Sequence, residues 1–137
     1  MMDEKFIHFL AKHHVLNLAT CKNNTPYAAS CFYAFDIQNA RFIIATDEAT
    51  RHMQEALHNP KVAGTVTLET KSVGLIQGMQ FTGEISKEDE SARSIYYKCY
   101  PFARAMNPTI WVIRIDYAKL TDNRLGFGNK LEFHRPQ

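Results

Sequence analysis

The chain has 137 residues, 45% of them hydrophobic, which suffices for one compact domain and leaves too little for two comfortable ones. Its formal net charge of +2 comes from dispersed Lys and Arg, so electrostatics give no footprint for nucleic acid. No run of about twenty apolar residues marks a membrane span, and the start MMDEKFIHFLAKHH carries acids where a secretion signal needs a basic start and an apolar core; the expected setting is the cytoplasm.

Three cysteines, Cys21, Cys31 and Cys99, form an odd set without CxxC spacing, which points to reduced thiols instead of disulfides or zinc. In chain order, Asp3 can cap a first helix that buries Phe6, Ile7 and Leu10 and ends near His13. VLNLAT then reads as a strand, turned by CKNNTP into the aromatic-rich strand YAASCFYAF. A turn over residues 36–39 leads to the strand RFIIAT, and a helix is predicted over residues 49–58, stopped by Asn59 and Pro60. KVAGTVTL is the next strand. SVGLIQGMQFTGEIS follows as a long one, with Val73, Leu75, Met79, Phe81 and Ile85 on one face and Gly74, Gly78, Gln80, Thr82 and Glu84 on the other. Gly78, set in mid-strand, predicts a bulge or a close approach. A helix around residues 88–97, the strand TIWVIRIDYAKLT and a short strand near KLEFH complete the chain. About six antiparallel strands with few helices predict a single mainly-β domain over residues 1–137, a small closed or partly split barrel.

The joint between RFIIA and the helix that follows carries the main chemical signal. Ala49, Met53, Ala56 and Leu57 share one helical face, so Arg51 and His52 point elsewhere. A helix N-terminus offers unpaired backbone N–H groups, Thr46 and Thr50 can add hydroxyls, and Arg51 adds a planar fork suited to phosphate oxygens. On these residues alone a plainer reading stays open, with Asp47 as N-cap and Arg51 solvated, and Asp47 and Glu48 put negative charge where an anion would sit.

The segment TDEATRH, residues 46–52, resembles the phosphate-binding segment of the pyridoxamine 5'-phosphate oxidase-like, FMN-binding split-barrel family. MQFTGE resembles that family's later Gln-x-x-Gly segment. Through TRH, VAGTV and TDNRLGFG, the chain is similar to a small bacterial subfamily of uncharacterised proteins. The resemblance implies a six-stranded antiparallel split β-barrel with a few peripheral helices. It implies FMN as cofactor, with Thr46, Thr50, Arg51 and His52 around its phosphate and Ser30, Cys31 and Phe32 beside the flavin. It further implies a homodimer with its sites at the subunit interface, Gln80 reaching across from the partner. The chain has His52 where many members have lysine, and it lacks the basic residues that the oxidase itself carries on its second strand. Pyridoxamine phosphate oxidation is therefore not part of the expectation.

Other features point to structure. His8, His13 and His14 lack the spacing of a helical metal site. Gly126, Phe127 and Gly128 suggest a turn, Cys31 a small buried residue, and Trp111 core or dimer packing. No Ser-His-Asp set or carboxylate pair can be assembled, so the reactive atoms of an enzyme would belong to its cofactor. The leading expectation is an FMN-binding, flavin-dependent oxidoreductase acting on a small molecule. Its alternative is a non-catalytic split-barrel protein that holds haem or another cofactor, or has lost its ligand.

Overall fold

The computed structural model describes residues 2–126 and 130–137 and contains three α-helices and seven strands. The strands are β1 (Val15–Lys22), β2 (Thr25–Asp36), β3 (Arg41–Ala45), β4 (Lys61–Thr67), β5 (Gln77–Lys87), β6 (Ile110–Asp122) and β7 (Lys130–His134). All pair antiparallel in the order β3-β2-β1-β4-β5-β6-β7, and β3 also pairs with β6. That extra pairing closes six strands into a ring, the expected barrel. The first half of β6 (Ile110–Arg114) pairs with β3 and its second half (Tyr117–Thr121) with β7, so the short last strand lies outside the ring.

Local chemistry explains the register. The β1–β2 hairpin turns on Asn23 and Asn24, both with positive φ (51° and 61°), the conformation of a two-residue turn whose twist matches the flanking strands. This turn is tighter than the six-residue CKNNTP predicted, and it sets Lys22 opposite Thr25 and Thr20 opposite Tyr27. Inside the ring, Leu16, Leu18, Phe42, Ile44, Val66, Met79, Phe81 and Ile113 are almost inaccessible to water. The Phe42 ring centres this core, with centroids 5.0 Å from Tyr33, 5.3 Å from Phe35 and 4.7 Å from Phe81. Each such buried side chain stabilises the fold by about 1.5–3 kcal/mol relative to exposure.

The helices cover what the ring leaves open. α1 (Glu4–Lys12) is capped by Asp3, whose carboxylate accepts from the Lys5 amide at 2.8 Å, and it buries Phe6, Phe9 and Leu10, with Ile7 only partly covered. α3 (Glu90–Cys99) starts two residues later than predicted because Asp89 caps it, accepting from the Ala92 amide at 2.8 Å. Its Ala92, Tyr96 and Tyr97 pack on the outward side chains of Ala34, Ile43, Ile110 and Val112. β3 is therefore buried on both faces.

Two sequence expectations fail around β5. Residues 73–75 form a 3₁₀ turn with Val73 60% and Leu75 51% exposed, so they do not share the core face with Met79, Phe81 and Ile85. The bulge predicted as one reading of Gly78 is absent, and nothing among the described residues approaches it closely. A Cβ there would meet nothing nearer than the Val66 carbonyl at 3.7 Å, and the register shift between β5 and β6 falls at Thr82/Gly83 instead. A Cβ on Gly83 would lie 2.2 Å from the Arg114 carbonyl oxygen, so the bulge requires glycine. Of the turn expected at Gly126, Phe127 and Gly128, the latter two residues lie outside the described residues; Gly126 has φ 104°.

Candidate functional site

α2 (Arg51–His58) begins two residues later than residues 49–58 would have it, and the cap is Thr50, not Asp47. The Thr50 hydroxyl accepts from the Met53 amide at 3.4 Å and donates to the Asp47 carbonyl at 2.8 Å. The Asp47 carboxylate instead accepts from the Ala49 amide at 2.7 Å, and Gln54 Nε2 donates to the Glu48 carbonyl at 2.8 Å, so the joint is tied on both sides. Met53 and Ala56 are buried as expected, but Leu57 is 46% exposed and the third buried residue of the helix is Glu55. The helix ends at Asn59, whose side chain donates to the Cys21 carbonyl at 3.0 Å and ties it to β1.

Thr46, Thr50 and His52 converge. Thr46 Oγ1 lies 2.8 Å and Thr50 Oγ1 3.3 Å from His52 Nε2. Thr50 has given its only proton to the Asp47 carbonyl, so it can only accept from the ring. Both contacts are satisfied together when Nε2 carries the hydrogen, and the Thr46 hydroxyl proton is then free. Burial lowers the His52 pKa, which keeps the imidazole neutral at pH 7. Trp111, 2% exposed, donates from Nε1 to the Thr46 carbonyl at 3.0 Å, while the Thr46 amide donates to the Thr109 carbonyl at 3.0 Å.

Arg51, the first residue of α2, donates from Nε to Glu55 Oε2 at 2.7 Å, and its guanidinium lies 4.0 Å from the centre of the Tyr27 ring. Glu55 is 7% exposed and also accepts from the Thr20 hydroxyl at 3.1 Å. The Arg51 hydrogen bond, joined by that from Thr20, holds its carboxyl below the ordinary range against the opposing effect of burial. Neither Nη of Arg51, nor the backbone amides of Arg51 and His52, has a partner among the described residues. The first turn of this eight-residue helix therefore carries two amides and one guanidinium edge without partners, donors of the kind that suit an oxyanion.

The other candidates divide by strand parity. Ser30 and Phe32 face outward on β2, Phe32 being 58% exposed, whereas Cys31 between them is 7% exposed in the barrel core. Burial pushes the Cys31 thiol up to about 11, so it is an inert core residue and only its backbone could meet a ligand on the outer face. Tyr33 pairs with Ile44, which sets Phe32 beside the end of β3 from which Thr46 leads. Ser30 donates to Asn17 Oδ1 at 3.0 Å, and Asn17 Nδ2 donates to Thr65 Oγ1 at 3.3 Å. Gln80 stands opposite Thr65 in the same row. Three strand spacings separate it from Ser30, about 14 Å, so it does not join the α2 joint within one chain.

Sequence reasoning missed Thr20, Tyr27, Glu55 and Trp111 as neighbours of the joint. Two carried a signal: Thr20 is polar on the inward parity of Leu16 and Leu18, and Glu55 stands four residues after Arg51 on the helix. Three surface pockets lie elsewhere, between α1 and α3, beside Arg93, and between α1 and β6, and none includes a candidate residue. No group of three His, Cys, Asp or Glu able to hold a metal occurs among the described residues, and none of their helices is long and apolar enough to cross a membrane.

The solved structures that the chain resembles include a haem-binding protein from Mycobacterium smegmatis, at TM-score 0.75 and 15% identity over 91% of this chain. The match spans 54% of that longer protein. An FAD-binding protein from Mesorhizobium loti matches at TM-score 0.69 and 13% identity, covering 86% of this chain and 90% of the other. These likenesses establish the split-barrel fold. Relatives in sequence are nearer: the UPF0306 protein YhbP of Escherichia fergusonii is 43% identical over 127 residues, covering 90% of this chain and 86% of its own. That of Salmonella arizonae is 41% identical over 131 residues, covering 93% and 89%. The family profile "Pyridoxamine 5'-phosphate oxidase" matches residues 2–123, and with relatives of this identity the chain belongs to the pyridoxamine 5'-phosphate oxidase family, in its UPF0306 branch.

Proposed function

We propose that this protein binds FMN and acts as a flavin-dependent oxidoreductase on a small molecule, working as a homodimer. The observation that carries the reading is the set of unpaired donors at the start of α2, the amides of Arg51 and His52 and the Nη edge of Arg51, which the Thr46 hydroxyl joins when His52 Nε2 carries the ring hydrogen. A phosphate dianion accepts from several donors at once, and this one turn offers them beside a helix N-terminus. Thr50 and His52 act at one remove. Thr50 caps the helix, and the neutral His52 ring donates to Thr46 so that the Thr46 proton is turned outward.

Bound flavin would supply two-electron or one-electron transfer, chemistry that no side chain here provides. The residues of this chain hold, orient and shield it. Ser30 and Phe32, outward on β2 next to the joint, would flank the ring system, with Cys31 contributing backbone only. An aromatic ring system of that size needs most of its surface covered, and the joint lies in none of the three surface pockets described above. A second copy is the simplest cover, because two-fold pairing makes two equivalent sites, and Gln80 on the outer face would then serve the partner's site. Asp47 and Glu48 lie near the donors and oppose an anion, so affinity should depend on the guanidinium outweighing them.

Titration with FMN and with riboflavin tests the reading. Saturable FMN binding, a raised melting temperature and weaker binding of riboflavin are expected, since a ligand that prefers the native state stabilises it. Equal affinity for both would remove the phosphate role. A haem spectrum in the freshly purified protein, with no flavin binding, would replace the reading with that of a haem-binding split barrel.

A further inference from the structure

The geometry points to Tyr27 and Glu55 as positioning residues that hold the Arg51 guanidinium ready for phosphate, an inference that rests on the FMN reading above. Glu55 is fixed before Arg51 meets it: its carboxylate is 7% exposed and accepts from Thr20, itself 2% exposed on β1. From that anchor it accepts the Nε–H of Arg51 at 2.7 Å. Tyr27 stacks on the guanidinium with its ring centre 4.0 Å away. Stacking sets the plane of the group, and the Nε hydrogen bond sets its rotation within that plane. The Nη edge then has one direction left, away from Glu55.

An exposed arginine would lose rotamer freedom on gripping a phosphate, whereas Arg51, 56% exposed at its side chain, is already ordered. The two residues that order it come from one hairpin end and one helix turn. Thr20 and Tyr27 face each other across β1 and β2, and Glu55 is one turn beyond Arg51 on α2. A competing effect has the opposite sign. The Glu55 carboxylate cancels part of the Arg51 charge, so if charge alone mattered, removing it would tighten an anion.

The opposed signs make the test decisive. FMN and riboflavin affinities are measured for the wild type, Arg51→Ala, Glu55→Met, which keeps length without an acceptor, Tyr27→Leu, and Tyr27→Phe, which keeps the ring. The readout is the ratio of the two affinities, which a general loss of stability would not move. Positioning predicts that Glu55→Met and Tyr27→Leu each lower the preference for FMN by about tenfold with riboflavin binding unchanged, while Tyr27→Phe retains it. An unchanged or increased preference in Glu55→Met, or an unchanged one in Tyr27→Leu, overturns the role of that residue. If the wild type shows no preference for FMN, the phosphate reading itself has failed. If the preference exists and only Arg51→Ala removes it, the failure belongs to the positioning proposal alone.

Discussion

Trp111 is where barrel and joint can be separated by one substitution. It is the only tryptophan in the chain, 2% exposed, and its Nε1–H reaches the Thr46 carbonyl at 3.0 Å. Trp111→Phe keeps an aromatic ring on β6 but removes that donor, and loss of a hydrogen bond to a partly buried carbonyl costs about 1–2 kcal/mol. The missing part of the indole leaves a void of about 40 Å³, which at about 24 cal/mol per Å³ adds about 1 kcal/mol. The sum, about 2–3 kcal/mol, should lower the urea midpoint by about 1 M with an unchanged m-value, followed by far-UV circular dichroism. In the wild type the same tryptophan reports on the joint, so FMN should quench its emission. The variant should bind FMN several-fold more weakly by calorimetry, because the Thr46 backbone has lost its anchor. A midpoint shifted by less than about 0.3 M together with unchanged FMN affinity would refute the argument that Trp111 holds the joint.

Arg51→Ala should weaken FMN by about ten- to a hundredfold with riboflavin affinity unchanged, as calorimetry would show, and it should lower apo stability in thermal melts because it leaves the buried Glu55 carboxylate without its main partner; equal weakening of both ligands would make Arg51 a structural residue only. Gly64→Ala would set a Cβ 2.4 Å from the Asn17 carbonyl oxygen and 2.5 Å from the Phe81 ring, so it should destabilise by about 2 kcal/mol or more in urea. Burial lowers the His52 pKa from its ordinary value, so its contribution to stability is present while the ring is neutral and is lost as the pH falls through that lowered value. The stability advantage of wild type over His52→Asn should accordingly shrink between pH 7.5 and 5, and an advantage that grows on acidification would mean the ring is protonated in the fold. Mixing Arg51→Ala with Gln80→Ala protein should return about one tight FMN site per heterodimer, and mixed dimers without a tight site would exclude a shared one.

The strands were legible because the alternation of apolar residues survives in β1, β4 and the later part of β5. It misled at Val73 and Leu75, whose parity matches Met79 but whose backbone leaves the strand for a 3₁₀ turn. Parity suggested a bulge at Gly78, whereas the bulge falls at Gly83, because it depends on what the facing strand does at Arg114, on a strand distant in sequence. At the joint, Thr46, Thr50 and His52 come together as the sequence suggests, whereas the Arg51 side chain turns to Glu55 and Tyr27. The hydroxyl that caps the helix was not legible, because Asp47 and Thr50 are both good caps and only the backbone geometry chooses between them. Trp111, Thr20 and Tyr27 reach the joint from other strands, and contacts across a closed ring leave no local mark.

That dependence on distant strands makes the β1–β2 hairpin part of the site although it ends far from Thr46 in sequence. Its two-residue turn, with Asn23 and Asn24 both at positive φ, fixes Thr20 opposite Tyr27 and points both toward α2. A slip of one residue would exchange the faces, turning Cys21 toward Glu55 and withdrawing the Tyr27 ring from Arg51. Burial guards against the slip, since the same change would push Leu16 and Leu18, both fully buried, into water. The hydrophobic core of the barrel therefore also sets the aim of a charged group at the surface. On the FMN reading, a substitution in that turn should weaken phosphate binding without touching a residue of the joint.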